Sequence, residues 1–248
     1  MPNPSITYKN REVPTKEEID EMLEKADLIK NNYFRLRVKT LIALVKKFGK
    51  RRKELAMLER TDLKTEGHFF YVTFTITKKH KKGLFQYFKF LKKTNPSGLN
   101  KSYPELLTEW QAWRETELGQ HTKTERRTKR VNTRDRYAKM VLEYSDYLNE
   151  YIPKAKFLFP SGKRVFQNYF VVSDDHLSGR QLLRLIKPLN EKMWLHLLRE
   201  TKGAEISRDL GMNITAVTEV KNMLDLEKEE TAWNYVRRYA VQEAKTET

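Results

Sequence analysis

From Phe70 to Ile76 every second residue is apolar: Phe70, Val72, Phe74 and Ile76 alternate with Tyr71, Thr73 and Thr75. A period of two suits a strand with one buried face and does not suit a helix. A polar tip, Lys78 to Gly83, then leads to a second apolar run, Leu84 to Leu91, so the pattern predicts a β-hairpin. The rest of the chain has helical spacing. Ile19, Met22 and Leu23 follow a Thr15–Glu18 capping box, and residues 34, 38, 41, 42 and 45 form a second stripe that Gly49 ends. Further helices are expected at about 51–58, 103–118, 132–151 (capped by Asn132), 179–187 (box Ser178–Gln181), 191–202 (capped by Asn190), 206–210, 215–224 and 231–243. Phe157 to Gly162 reads as a short extended piece, Asp174-Asp175-His176 as a loop, and the stretch from Thr122 to Arg130 as a mobile connector. The expected fold class is mainly α with a small antiparallel β-sheet (α+β). Residues 1–13 are expected to be a disordered lead and 14–248 a single domain, with a basic helical insertion at about 100–155.

Charge narrows the function. The 248 residues carry 49 Lys and Arg against 33 Asp and Glu, a net charge of +16. Lys78 to Lys93 holds seven lysines and no acid; Gln120 to Lys139 holds eight basic residues against two acids. Two dense basic segments in a chain with 11% aromatic residues suggest a packed domain with a phosphate-tracking surface. No cysteine is present, which excludes disulfides, a thiol nucleophile and cysteine-ligated metal sites. The longest aliphatic run, Leu41 to Val45, is far short of a membrane span, and Met1 to Asn10 lacks an apolar leader core. A soluble, intracellular protein with a polyanionic partner and no membrane partner is expected.

Three segments carry residue types suited to phosphate chemistry. Gly49-Lys50-Arg51-Arg52-Lys53-Glu54-Leu55 places an arginine at a helix start. His196 and Arg199 share a helical face at i and i+3. Tyr235 stands in a late helix. An arginine can clamp a phosphate bidentately, and a histidine can move a proton near neutral pH.

Taken in order, these segments resemble the tyrosine recombinase (phage and archaeal-virus-type integrase) family, catalytic domain. Gly49, Arg51, Glu54 and Leu55 match its G-x-R-x-x-E-L segment, with Asp62 as the trailing acid. Lys78 at the hairpin tip, or alternatively Lys79, matches its sheet lysine. His196 and Arg199 match its H-x-x-R, and Tyr235 follows Arg199 by 36 residues. The resemblance covers about Pro14 to Tyr239. It implies site-specific DNA strand exchange through a 3′-phosphotyrosyl intermediate, with Arg51, Lys78, His196, Arg199 and Tyr235 catalytic, no metal and no cofactor. It also implies double-stranded DNA as partner and a tetramer on paired sites. The basic residues Lys79, Lys81, Lys82, Arg126, Arg127, Lys129, Arg130 and Arg134 are candidate DNA contacts. The sequence departs from the family pattern at Leu226, where a second His or a Trp usually stands nine residues before the tyrosine; either Asn222 or Lys228 is expected to substitute, or the role is missing. Glu200 replaces the usual His after the second arginine. The family's N-terminal DNA-clamping domain has no counterpart in the 13-residue lead, so a catalytic fragment or a minimal enzyme is expected. The alternative is a catalytically inactive, sequence-specific DNA-binding protein, because residues 206–224 read as a helix-turn-helix.

Overall fold

The computed structural model describes residues 13–165 and 169–246. Its helices are α1 (Lys16–Asp27), α2 (Asn32–Phe48), α3 (Arg52–Ala56), α4 (Leu84–Thr94), α5 (Tyr103–Trp113), α6 (Arg136–Tyr151), α7 (Gly179–Ile186), α8 (Leu195–Leu210), α9 (Ile214–Met223) and α10 (Glu229–Thr246). The strands are β1 (Leu63–Glu66), β2 (Phe69–Lys81), β3 (Gln120–Asn132), β4 (Pro160–Val165) and β5 (Tyr169–His176). The chain divides into two compact units: residues 1–74 with 128–248, and residues 75–127.

The first unit is built around α2. Leu36, Val38, Leu41, Ile42, Ala43, Leu44, Val45 and Phe48 are all buried, so this helix is covered on nearly every side. Each such aliphatic side chain contributes about 1.5–3 kcal/mol by leaving water. Thr40 Oγ1 donates to Met140 O at 3.0 Å, which ties α2 to α6. At its far end α2 stops on Gly49, whose φ of +59° is left-handed. A Cβ at Gly49 would come within 2.3 Å of Leu224 Cδ2, so both the backbone and the close approach demand glycine. The core of α8, α9 and α10 joins Ile206, Val217, Val220, Leu224, Ala232 and Val236.

The second unit holds α4 and α5 around Tyr87, Leu91, Leu106 and Trp113. Trp110 Nε1 donates to Lys82 O at 3.2 Å and Lys82 N to Gly119 O at 2.7 Å, which ties the residue after β2 to the residue before β3.

Several expectations change. The second apolar run is helix α4 rather than a strand: Tyr87 and Leu91 bury together at i and i+4, while Phe85 stays exposed. The alternation ends because β2 runs on through Lys81, with no hairpin tip at Lys78 to Gly83. Its partners are β1, antiparallel with Leu63 opposite Val72, and β3. The basic stretch taken as a connector is therefore an edge strand. Its backbone is satisfied by β2, and Thr128 shares a 2.9 Å hydroxyl hydrogen bond with Thr73. A second sheet, β4 antiparallel to β5, contains Asp174-Asp175-His176, which is not a loop.

Other changes are local. Asp135, not Asn132, caps α6 by accepting from Tyr137 N and Ala138 N. The helices expected at 191–202 and 206–210 merge into α8, which starts at Leu195 because Asn190 spends its side chain on a local turn to Lys192 N. The second compact unit spans residues 75–127, and α6 packs on α2 in the first unit. Residues 1–12 of the expected lead lie outside the described residues. The capping boxes at Thr15 and Ser178 both form. No helix among the described residues is long and apolar enough to cross a membrane.

Candidate active site

The exit of α2 builds the first part of the site. Past Gly49 the chain turns into α3 with Arg51 as its N-cap. Arg51 has no capping oxygen, and Glu54 supplies the order instead. The Glu54 carboxylate, nearly buried, accepts from Arg51 N at 2.9 Å and from Arg51 Nη1 at 3.0 Å. The spacing of arginine and glutamate in this segment thus has a physical reason: one carboxylate caps the helix and aims the guanidinium above it. The Arg51 side chain stays 46% exposed, open to a ligand. Asp62 repeats the device by accepting from Glu59 N at 2.9 Å.

Arg199 comes from α8 and is 2% exposed. Its Nη1 donates to Gly49 O at 2.6 Å and its Nη2 to Leu224 O. Burial pulls its pKa down, and neighbouring Arg51 adds to that, while Tyr235 and Glu54 oppose it. An arginine stays charged regardless, so this is a buried cation with a second cation nearby, held by carbonyls. Of its five N–H groups, two serve those carbonyls and three remain.

Tyr235 is set by α10. Ala232 and Val236, one turn apart, are buried in the α8–α9–α10 core. Tyr235 sits at the edge of that stripe, and its ring lies against Gly203, where a Cβ would stand 3.1 Å from Tyr235 Cδ1. Gly203 is one turn beyond Arg199 on α8, so the phenol ring lies beside the stretch of α8 that carries Arg199, near enough for its charge to be felt there. Arg51, Arg199 and Tyr235, drawn from three distant stretches of chain, therefore meet.

The other expected site residues are placed differently. His196 projects from the first turn of α8, half exposed, with Nε2 3.0 Å from Glu200 Oε1. No hydrogen bond joins it to Tyr235 among the described residues. Lys78 belongs to the second unit, and the side chains of Lys78 and Lys79 lie outside the described residues. Leu226 packs against the α8–α9–α10 core rather than facing a ligand.

Among the basic candidates, Lys81 pairs with Glu115, and Lys82 donates to Leu118 O at 2.7 Å. Arg126 is exposed, and Arg127 pairs with Glu125. Glu125 is held down to about 2 by hydrogen bonds from Lys123 and Arg127. Arg130 stacks 4.4 Å from the Phe69 ring centroid, and Arg134 is exposed. Lys129 turns toward the site: its Nζ donates to Asn222 O at 2.8 Å and lies 3.8 Å from Asp225. Sequence reasoning missed Lys50, Asp225 and Gly203. Only Gly203 carried a local signal, a glycine four residues after the arginine in the interior of a helix.

The fold has known counterparts. One is the XerH site-specific recombinase bound to its difH substrate in a pre-cleavage complex, aligned over 94% of this chain and 51% of that one with a TM-score of 0.55 and 14% identity. The XerH post-cleavage complex on palindromic difH aligns over 98% and 55%, with a TM-score of 0.57 and 15% identity. XerA recombinase aligns over 95% and 61%, with a TM-score of 0.54 and 14% identity. The fold is that of a tyrosine recombinase catalytic domain. This chain spans about half to three-fifths of those recombinases' length. No protein-family model and no curated protein matches the sequence. Within the tyrosine recombinase fold, α2, α8 and α10 are the elements that bring two guanidinium groups and one phenol together. That is an arrangement able to receive a tetrahedral oxyanion and present a nucleophile to it.

Proposed function

We propose that this chain breaks and rejoins DNA as a site-specific recombinase or integrase, through a covalent 3′-phosphotyrosyl intermediate. The observation that carries this reading is that Arg199 bonds Gly49 O, two residues before Arg51, while the Tyr235 ring lies against Gly203, one turn beyond Arg199. A phosphodiester repels nucleophiles through its negative charge. Arg51 and the three remaining N–H groups of Arg199 neutralise the non-bridging oxygens and follow the charge that builds in the transition state. The Tyr235 phenolate oxygen attacks phosphorus, a Tyr–O–P bond forms, and the 5′ oxygen leaves with its electron pair. Lys78 protonates that leaving oxygen. His196, tethered to Glu200, takes up the phenol proton through solvent or orients the group that does. The bond energy is kept in the covalent link, so a second DNA strand can displace the tyrosine. Double-stranded DNA is the partner, and the working assembly is a tetramer on paired sites. The basic face of β3 and the second unit supply the phosphate contacts.

The test is incubation with a pool of duplex DNA nicked at random positions, followed by denaturing electrophoresis. Wild type gives an SDS-resistant protein–DNA adduct; Tyr235→Phe gives none while still binding DNA. Absence of an adduct from wild type across the pool favours the non-catalytic DNA-binding reading.

A further inference from the structure

Lys50 and Asp225 form an ion pair with no exposed side-chain surface on either partner. Neither belongs to the converging groups, yet each is the chain neighbour of a carbonyl that holds Arg199. Gly49 O accepts from Nη1 and Leu224 O from Nη2. Lys50 also directly precedes Arg51. Stability alone does not explain such a pair, because two buried charges replaced by apolar groups of like volume often leave a fold as stable or more so. Asp225 carries a second cost, a left-handed φ of +50° in a residue other than glycine. Such a backbone persists where its surroundings over-determine it. Those surroundings are visible: Lys50 Nζ stands 4.8 Å from the Phe74 ring centroid, and Lys129 of β3 reaches both Asn222 O and the second carboxylate oxygen of Asp225.

We propose that the Lys50–Asp225 ion pair is a positioning device for Arg199. By fixing the separation of residues 49–50 from residues 224–225, it holds two carbonyls at the spacing of the guanidinium's terminal nitrogens and so aims the remaining N–H groups. Lys50 and Asp225 are positioning residues and do not touch the phosphate. The proposal rests on the reading of Arg199 as a phosphate-binding group. The charged groups that face Lys50 are Asp225 from the α9–α10 loop, Lys129 from β3 and Glu54 from α3. Burial brings the Lys50 ammonium down to about 8, so the pair weakens above that pH, whereas an arginine at position 50 would not titrate.

The test uses thymidine 3′-(4-nitrophenyl phosphate), an activated diester that needs no recognition sequence. The Tyr235 oxygen bonds to phosphorus, 4-nitrophenolate leaves with the electron pair, and the phenol proton passes to solvent. The burst of nitrophenolate is timed from pH 6.5 to 9.5 for wild type, Lys50→Arg and Lys50→Met/Asp225→Gly, alongside thermal unfolding. The double variant removes both buried charges and the backbone strain. It is expected to melt no lower than wild type yet to burst 10- to 100-fold more slowly at pH 7, with KM within threefold. The wild-type rate should fall relative to Lys50→Arg by about tenfold between pH 7 and 9.5. A double variant that folds and bursts at the wild-type rate overturns the proposal. So does one that fails to fold, since the pair is then structural. A wild type without any burst overturns the reading of the site itself, and the proposal with it.

Discussion

At the scale of single residues, the site is a problem of keeping cations together. Arg199 is nearly sealed from water beside Arg51, and carbonyl oxygens with Glu54 take the place of the lost hydration. Lys50 meets the same problem and has a measurable signature. Its folded-state pKa of about 8 is below the ordinary 10.5, so folding disfavours its charged form. Between those two values the unfolded chain binds more protons, and the free energy of unfolding rises with pH. The penalty is fully present below pH 8 and relieved as pH approaches 10.5. Urea unfolding at pH 7.5 and 9.5 should show wild type gaining on Lys50→Met/Asp225→Gly by about 1–3 kcal/mol. A gap that widens instead would show that the charged pair stabilises the fold. The arginines, His196 and Tyr235 stand in motifs of fixed local spacing, so the sequence alone offers them as candidates. Lys50 and Asp225 could not be picked that way, because they stand 175 positions apart and only the folded chain pairs them.

At the scale of elements, local chemistry was readable and long-range pairing was not. The capping boxes at Thr15 and Ser178 act within three residues, so their helices start where the sequence places them. The strand from Phe69 was legible from its alternation, but its partner was not. Leu84 to Leu91 is apolar enough to imitate a strand, and β3 is so charged that it imitates a linker. Pairing with β2 overrides that composition, because an edge strand needs only one satisfied side and can turn its charges to water. Two glycines then fix how the elements meet. Gly49→Ala forces a left-handed alanine into Leu224 and should cost about 2–3 kcal/mol in urea unfolding. Gly203→Val wedges a branched side chain under the Tyr235 ring. It should lower DNA adduct formation at least tenfold while DNA binding, followed by fluorescence anisotropy, changes less than threefold. Equal losses in both assays would mean that Gly203 serves the fold rather than the phenol.

At the scale of the whole molecule, charge is divided unevenly between the units. Residues 75–127 carry 12 Lys and Arg against five acids, in 53 residues of the 248. Each phosphate neutralised adds about 0.9 to the slope of log affinity against log salt. Replacing Lys81, Lys82, Arg126 and Arg127 with glutamine should lower that slope by about two to four, measured on duplex DNA between 50 and 200 mM salt; an unchanged slope would remove these side chains from the interface. Arg51, Arg199 and Tyr235 lie in the other unit, so the same variant should retain the pH dependence of the nitrophenolate burst, whose nitrophenolate leaving group needs no proton from Lys78. The most direct measurement is the yield of covalent DNA adduct from Arg51→Ala and Arg199→Ala beside wild type, with DNA binding followed in parallel. If both guanidinium groups serve one phosphorus, each variant loses about 100-fold or more in adduct formation while still binding DNA. Wild-type adduct yield from either one would contradict it.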